Sequence, residues 1–345
     1  MDQNKRPTIK DVAAEANVSV ATVNRVLSGS GAVRQGTRER VMLAAEQIGF
    51  YGMGALRSRI AAARPRYRLS FLLHQPGRAF YRNMADALRL AAQTMPDCEI
   101  ELRTEFLDDL SPQNVASRML ALGAECDAVG VVAAVHPLVT QAVDALQARN
   151  VPVFALISQI SATGHINYIG LDNWKVGRTA AWVFEHVCRG PGRLGILVGN
   201  HRYRCQEMNE SGFRSYFREH APGFTLLEPL LTFESSAIAQ EMTEKLLNEN
   251  PDLSGLYVAG GGITGAIAAL RSTRRAGSVV VVGYELMDTT RAALLDGTLT
   301  FVISHPLARI AQEALAGMVR SVSAPNEGGN FTTILPFEIY TRENI

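Results

Sequence analysis

The chain has 345 residues, of which 47% are hydrophobic and 19% charged, a length and balance that describe a globular protein of two or three domains with real cores. No run of 18 apolar residues occurs, and Met1 to Pro7 leads into no apolar stretch, so neither a membrane span nor a secretory signal is expected. The net charge of +1 hides a division: Met1 to Arg68 holds 12 Lys and Arg against 5 Asp and Glu, and the remainder 22 against 28. A basic head on an acidic body is the electrostatic footprint of a nucleic-acid module joined to something else. Cys98, Cys126, Cys188 and Cys205 lie far apart with no CxxC, which argues against a disulfide scaffold or zinc knuckle and fits a reducing cytoplasm.

In the head, Thr8 can cap a short first helix carrying Ile9, Val12, Ala13 and Ala16 at helical spacing. Asn17-Val18 interrupts, and Ser19 then caps a second helix with Val23, Val26 and Leu27 facing inward. Val20, Ala21, Thr22, Asn24 and Arg25 are left outside. A third helix is predicted from about Gly36 or Thr37 through Gln47, stopped by Gly49. Two capped helices across a tight break read as helix-turn-helix.

On the strings TIKDVAAEANVSVATVNRVLSG and VRQGTRERVMLAAEQIGFY, without gaps, the head resembles the DNA-binding domain of the LacI/GalR repressor family. The resemblance implies a second helix in the major groove, with Val20 and Ala21 reading base edges and Arg25 contacting guanine. A guanidinium can bond guanine O6 and N7 together, and small apolar side chains can pack on thymine methyls. Thr8, Ser19, Thr22, Asn24 and Thr37 are expected at the DNA backbone, with plain capping or packing as the alternative for Thr22 and Thr37. The family's Tyr-x-Pro-Asn lead into a hinge helix is replaced by Tyr51-Gly52-Met53-Gly54. By alignment Ile60 takes the position of a minor-groove wedge, Leu56 being its alternative, and Arg57 and Arg59 can reach phosphate.

From Tyr67 onward, strand-length apolar runs such as RLSFLLH, AVGVVA, VPVFALI, RLGILVG, TLLEPLLTF, GLYVA and SVVVVGYE alternate with amphipathic helical stretches. That rhythm predicts two lobes of parallel sheet with helices on both faces. The body resembles the periplasmic sugar-binding-protein fold that the same family uses as its sensor, on the markers RLSFLLHQPGRAFYRNMADAL, IGLDNWKVGRTAA, LTFVISHPLARIAQEAL and PFEIYTRENI. The expected class is therefore α/β, with an all-α helix-turn-helix domain at 1–50, a hinge or linker at 51–66, and a two-lobe ligand-binding and dimerisation domain at 67–345. Lobe 1 is expected at about 67–167 and 303–327 and lobe 2 at about 170–299 and 331–345, with crossings near Ile166 to Gly170, Leu299 to Ile303 and Gly328 to Thr333.

The resemblance places an effector in the cleft between the lobes, where open α/β sheets also bind ligands. Phe80, Tyr81 and Phe233 offer aromatic faces, Glu285 stands where an aspartate usually bonds sugar hydroxyls, and Ser304 where glutamine is common. Departures are Ile157-Ser158 for an Asp-Arg pair, Glu207 for an arginine, and Gly260-Gly261 for an Asn-Asp pair. If Glu207 and Glu285 both face the ligand, then Arg78, Arg82, Arg202 or Arg204 decide the sign of the site. A neutral polyhydroxyl ligand is favoured. His74 and His305 are further cleft candidates.

Gly260 to Gly265 also satisfies GxGxxG between a strand and a helix, with Glu285 twenty positions on, which is the dinucleotide-binding pattern. Nothing nearby forms a hydride-transfer site, and GxSxG, HExxH, Walker A and paired-histidine spacings are missing, so no enzyme activity, cofactor or metal is expected. The expected function is a DNA-binding transcription regulator, a repressor acting as a homodimer on duplex operator DNA under a small sugar-like effector. The alternatives are a solute-binding protein and an NAD-dependent oxidoreductase.

Overall fold

The structure, a computed structural model, describes residues 7–28, 33–50, 64–324 and 332–345. Two compact units emerge: Met1–Arg66 with Pro96–Glu99, and Tyr67–Met95 with Ile100–Ile345.

The first unit is built on helices α1 (Ile9–Glu15), α2 (Val20–Ser28) and α3 (Gln35–Gln47). Thr8 starts α1 by donating its backbone N–H and its hydroxyl to Asp11 Oδ2, both at 2.7 Å, while its carbonyl accepts the Asp11 and Val12 N–H groups. Asn17 then turns the chain in the left-handed region (φ +49°), which an asparagine tolerates. The Ser19 hydroxyl accepts the Thr22 N–H at 3.1 Å and opens α2. Gly49 (φ +67°) ends α3, with the Phe50 N–H returning to the Ala45 carbonyl at 2.9 Å. Val12, Ala13, Ala16, Val23, Val26, Val41, Ala44 and Ala45 form the shared core, so Val23 and Val26 fix which face of α2 points outward.

The second unit alternates strand and helix in two lobes. The first runs β1 (Arg66–His74), α4 (Ala79–Gln93), β2 (Glu99–Leu107), α5 (Pro112–Gly123), β3 (Ala128–Val131), α6 (Pro137–Gln147), β4 (Val153–Leu156) and β5 (Asn167–Leu171). The second runs α7 (Asn173–Val187), β6 (Arg193–Val198), α8 (Arg204–His220), β7 (Thr225–Leu226), β8 (Leu230–Leu231), α9 (Ser236–Glu249), β9 (Leu253–Val258), α10 (Ile263–Ser272), β10 (Val280–Tyr284), α11 (Asp288–Leu295) and β11 (Phe301–Ser304). Then α12 (Leu307–Ser323) and β12 (Thr332–Leu335) return to the first lobe, and β13 (Glu338–Tyr340) closes the second. The sheet orders are β12-β5-β4-β3-β1-β2 and β13-β11-β10-β9-β6-β7, with β8 also beside β6.

The chain crosses between lobes after Leu171, after Ser304 and at Pro336-Phe337, a few residues beyond each expected point. Residues 332–335 therefore belong to lobe 1 and not to lobe 2. Each apolar run finishes its ladder before leaving: Leu171 pairs with Leu335 in one sheet, and Ser304 with Glu338 in the other. TLLEPLLTF is likewise two short strands, β7 and β8, because Pro229 has no N–H to give a ladder.

Candidate functional site

On α2, Val20, Ala21, Asn24 and Arg25 are exposed together. Thr22 is half-buried, its hydroxyl 2.9 Å from that of Ser19, and Thr37 is half-buried in the first turn of α3. Thr8 and Ser19 are exposed caps. The structure thus brings four side chains onto one outward face and ties Thr8, Ser19 and Thr22 into helix starts. Arg57 and Ile60, with Leu56 and Arg59, lie outside the described residues.

In the second unit a cavity of about 360 Å³ opens at the carboxyl ends of both sheets. It is lined from the first lobe by Gly77 to Arg82 after β1 and Ile157 after β4. The second lobe supplies Asn173, Cys205, Gln206 and Asn209 from α7 and α8, Glu234 after β8, Ala259 to Thr264 after β9, and Tyr284, Glu285, Met287 and Thr289; His305 completes the wall at the crossing after β11. Ile157 (φ +66°), Phe233 (+49°), Glu234 (+61°) and Glu285 (+66°) all occupy the left-handed region at these strand ends. Such conformations cost about 1–3 kcal/mol each and persist where surroundings over-determine them.

Both acids in the wall already have partners. Glu285 Oε1 lies 2.5 Å from His305 Nδ1, and Oε2 accepts the Ser304 hydroxyl at 3.1 Å and the His305 N–H at 3.2 Å. Glu234 accepts Arg78 Nη1 and Gln206 Nε2, each at 2.7 Å. Arg82, toward solvent, donates to the Pro76 carbonyl at 2.7 Å. The buried His305 Nε2 has no hydrogen-bond partner among the described residues. Asn173 donates to Asn209, which donates to the Ala259 carbonyl.

Of the residues assigned to the cleft from sequence, Phe80, Tyr81, Ile157, Gly260, Gly261, Glu285 and His305 border the cavity, as do Arg78 and Arg82, while Arg202 and Arg204 are exposed outside it. Glu207, Phe233, Ser158 and Ser304 do not border it either, and each has a local reason. Glu207 is exposed, because α8 starts at Arg204 and its inner face carries Gln206, Asn209 and Phe213 instead. Phe233 is 62% exposed, because two successive left-handed residues turn it out and Glu234 in. Ser158 is buried, accepting the Cys205 N–H at 3.5 Å, and Ser304 is spent on Glu285 and on the Leu286 N–H. Sequence reasoning missed Gln206, Asn209 and Glu234 as wall residues. The spacing of 206, 209 and 213 carried the first two; nothing local carried the third. The glycine motif has a plain steric reading as well: a Cβ on Gly260 would overlap Gln206, and one on Gly261 would overlap Glu234. The Glu234 side chain thus stands over Gly261, in the space a pyrophosphate would need.

His74, at the end of β1, is buried with Nε2 2.9 Å from the Val132 carbonyl and 3.3 Å from the Tyr203 hydroxyl of the other lobe. Burial pushes its imidazole down to about 4. The unfolded ring titrates near 6.5, so its contribution is complete above that pH and falls away as the pH drops toward 4, by about 3 kcal/mol. Chemical denaturation across pH 7 to 4 should show this slope, and His74→Gln should flatten it. An identical slope in the variant would place the titration elsewhere.

Residues 8–52 match the lacI family of bacterial regulatory proteins, and residues 69–323 match the periplasmic binding protein domain. The chain is a lacI-family regulator. As such it is a DNA-binding transcriptional regulator. This lacI-family chain is 26% identical over 340 residues to the HTH-type transcriptional regulator reg1 of Streptomyces lividans, covering 91% of itself and 90% of that protein. It is 23% identical over 271 residues to a D-apiose import binding protein of Paraburkholderia graminis, covering 77% and 84%. Its fold is that of a solute-binding protein from Agrobacterium vitis bound with α-D-tagatopyranose, at 19% identity and TM-score 0.72, covering 81% and 95%. Among the described residues of the lacI-family chain, no helix is long and apolar enough to cross a membrane. No group of His, Cys, Asp and Glu there could hold a metal ion.

Proposed function

We propose that this regulator is a repressor that binds a two-fold symmetric operator as a homodimer and is controlled by a small neutral polyhydroxyl ligand held between its lobes. The observation that carries the reading is that every acid in the cavity wall has an internal partner and that the lining sets two arginines, Arg78 and Arg82, against two acids, Glu234 and Glu285, so that the wall favours neither sign of ligand charge. Phe80 and Tyr81 supply flat apolar faces for a sugar ring, and Gly260 and Gly261 make room for the Gln206 and Glu234 side chains that form the polar wall. Glu285 acts through His305, whose free Nε2 meets a ligand hydroxyl.

On DNA, Val20, Ala21, Asn24 and Arg25 read the major groove, Thr8, Ser19, Thr22 and Thr37 sit toward phosphate, and Arg57 and Ile60 serve the hinge. One helix-turn-helix reads a half-site, which is the reason for a homodimer. The ligand controls DNA binding by binding two lobe arrangements with different affinity. The basic head favours this reading over a solute-binding protein.

A thermal-shift screen of sugars, polyols, sugar acids and sugar phosphates tests the ligand class. A neutral sugar or polyol at 100 times its Kd should add about 2.7 kcal/mol of stability. Hits confined to phosphorylated or carboxylated compounds would overturn this reading of the cavity.

A further inference from the structure

Arg78 and Glu234 reach each other from opposite lobes, one from the loop after β1 and the other from the turn after β8. Arg78 is held on its own side by Gln75, whose Oε1 accepts the Arg78 Nε–H at 2.9 Å. Glu234 is held on its side by Gln206, and Gln206 Oε1 is itself fixed by the Gly199 and Asn200 N–H groups at 2.8 and 3.0 Å. The chain Gln75–Arg78–Glu234–Gln206 thus runs along the cavity wall from the loop after β1 in one lobe to the Gly199 and Asn200 backbone of the other. The Glu234 side chain is only 9% exposed and that of Arg78 23%, so water screens the pair weakly.

The surrounding backbone accommodates this pair at visible cost. Phe233 and Glu234 are both left-handed without being glycine, which is what swings the carboxylate inward. Gly260 and Gly261 leave the volume that Gln206 and Glu234 fill, and a Cβ on Gly261 would also stand 3.0 Å from Arg78 Nη1. Three neutral contacts, from the Val135 N–H to the Arg202 carbonyl, from the Cys205 N–H to the Ser158 hydroxyl and between Tyr203 and His74, join the lobes nearby.

We infer that Arg78 and Glu234 form a latch that holds the two lobes closed when no ligand is bound. The ligand then adds to a closure that already exists, so the latch sets how much of the regulator's response is left for the ligand to supply. That regulatory meaning rests on the cavity being the effector site; the latch itself does not.

The test uses the ligand-free full chain, with fluorophores placed at the exposed Arg89 on α4 and Glu228 between β7 and β8, and reads the lobe-to-lobe distance by single-molecule energy transfer. Wild type should populate the short distance. Glu234→Gln and Arg78→Gln should each move the closed-to-open ratio by about tenfold toward the long distance, and the double variant should go little further, since both remove one interaction. Circular dichroism confirms that each variant is folded; if Glu234→Gln melts, Arg78→Gln, at the more exposed partner, carries the comparison. A wild-type distribution centred on the long distance, single variants indistinguishable from wild type, or a double variant equal to the sum of the singles would overturn the latch. Failure of the ligand class would appear in the sugar screen and leave these ligand-free distances untouched.

Discussion

Gly212→Leu is expected to lower the melting temperature of the body by roughly 6–12 °C, from overpacking of about 3 kcal/mol and a shift of about 2–4 °C per kcal/mol in a domain of this size. The cause is the crossing of α7 and α8, where the two backbones touch. A Cβ on Gly212 would overlap the Trp174 carbonyl, and one on Gly177 would overlap the Asn209 carbonyl and stand 2.8 Å from the Phe213 nitrogen. Backbone cannot swing aside as a flexible side chain can, so the helices must separate. Because α8 carries Gln206 and Asn209 to the cavity, the variant should also lose ligand binding at temperatures where it is still folded. Gly190→Ala, where a Cβ meets open space, serves as the control and should melt like wild type. An unchanged melting temperature in Gly212→Leu would mean that the two helices part without cost and that this packing does not hold the wall.

The second large effect concerns DNA. Arg25→Ala should weaken binding to the preferred duplex by about 1–3 kcal/mol and relax the preference at one guanine per half-site. Arg25 is exposed on α2, one position before the buried Val26 that anchors the helix, so its fork of donors is free to face a groove. Fluorescence anisotropy on preferred and scrambled duplexes separates the roles. Equal losses on both would reduce Arg25 to a phosphate contact.

The head is legible in the sequence because its signals are local. Thr8 and Ser19 cap within three residues of themselves, the period of Val12, Ala13, Ala16, Val23 and Val26 gives the buried face, and Gly49 stops the last helix. The two-lobe rhythm is legible for the same reason, since each strand and helix announces its own period. The cavity wall is less so. Glu207 is placed in the cleft by the resemblance alone, whereas the helical spacing of Gln206, Asn209 and Phe213 sets the inner face of α8 and leaves Glu207 outside it. Glu234 could not be found at all, because its inward aim depends on a left-handed pair at 233–234 that no local propensity favours. Glu285 was placed correctly at the end of β10, yet its role depends on His305, twenty residues away across a strand pairing. The crossings were displaced because pairing partners, not apolar runs, decide where a strand ends.

The central claim is that the outward face of α2 reads a defined duplex sequence. Selection of bound duplexes from a random library by the full chain tests it most directly, at a stated salt concentration because phosphate contacts dominate bare affinity. The account predicts enrichment of one two-fold symmetric motif, with half-site centres a helical turn or a multiple apart, and loss of a guanine preference in each half when Arg25→Ala is selected in parallel. Recovery of duplexes with no enriched sequence, or of the same motif by wild type and variant alike, would contradict it.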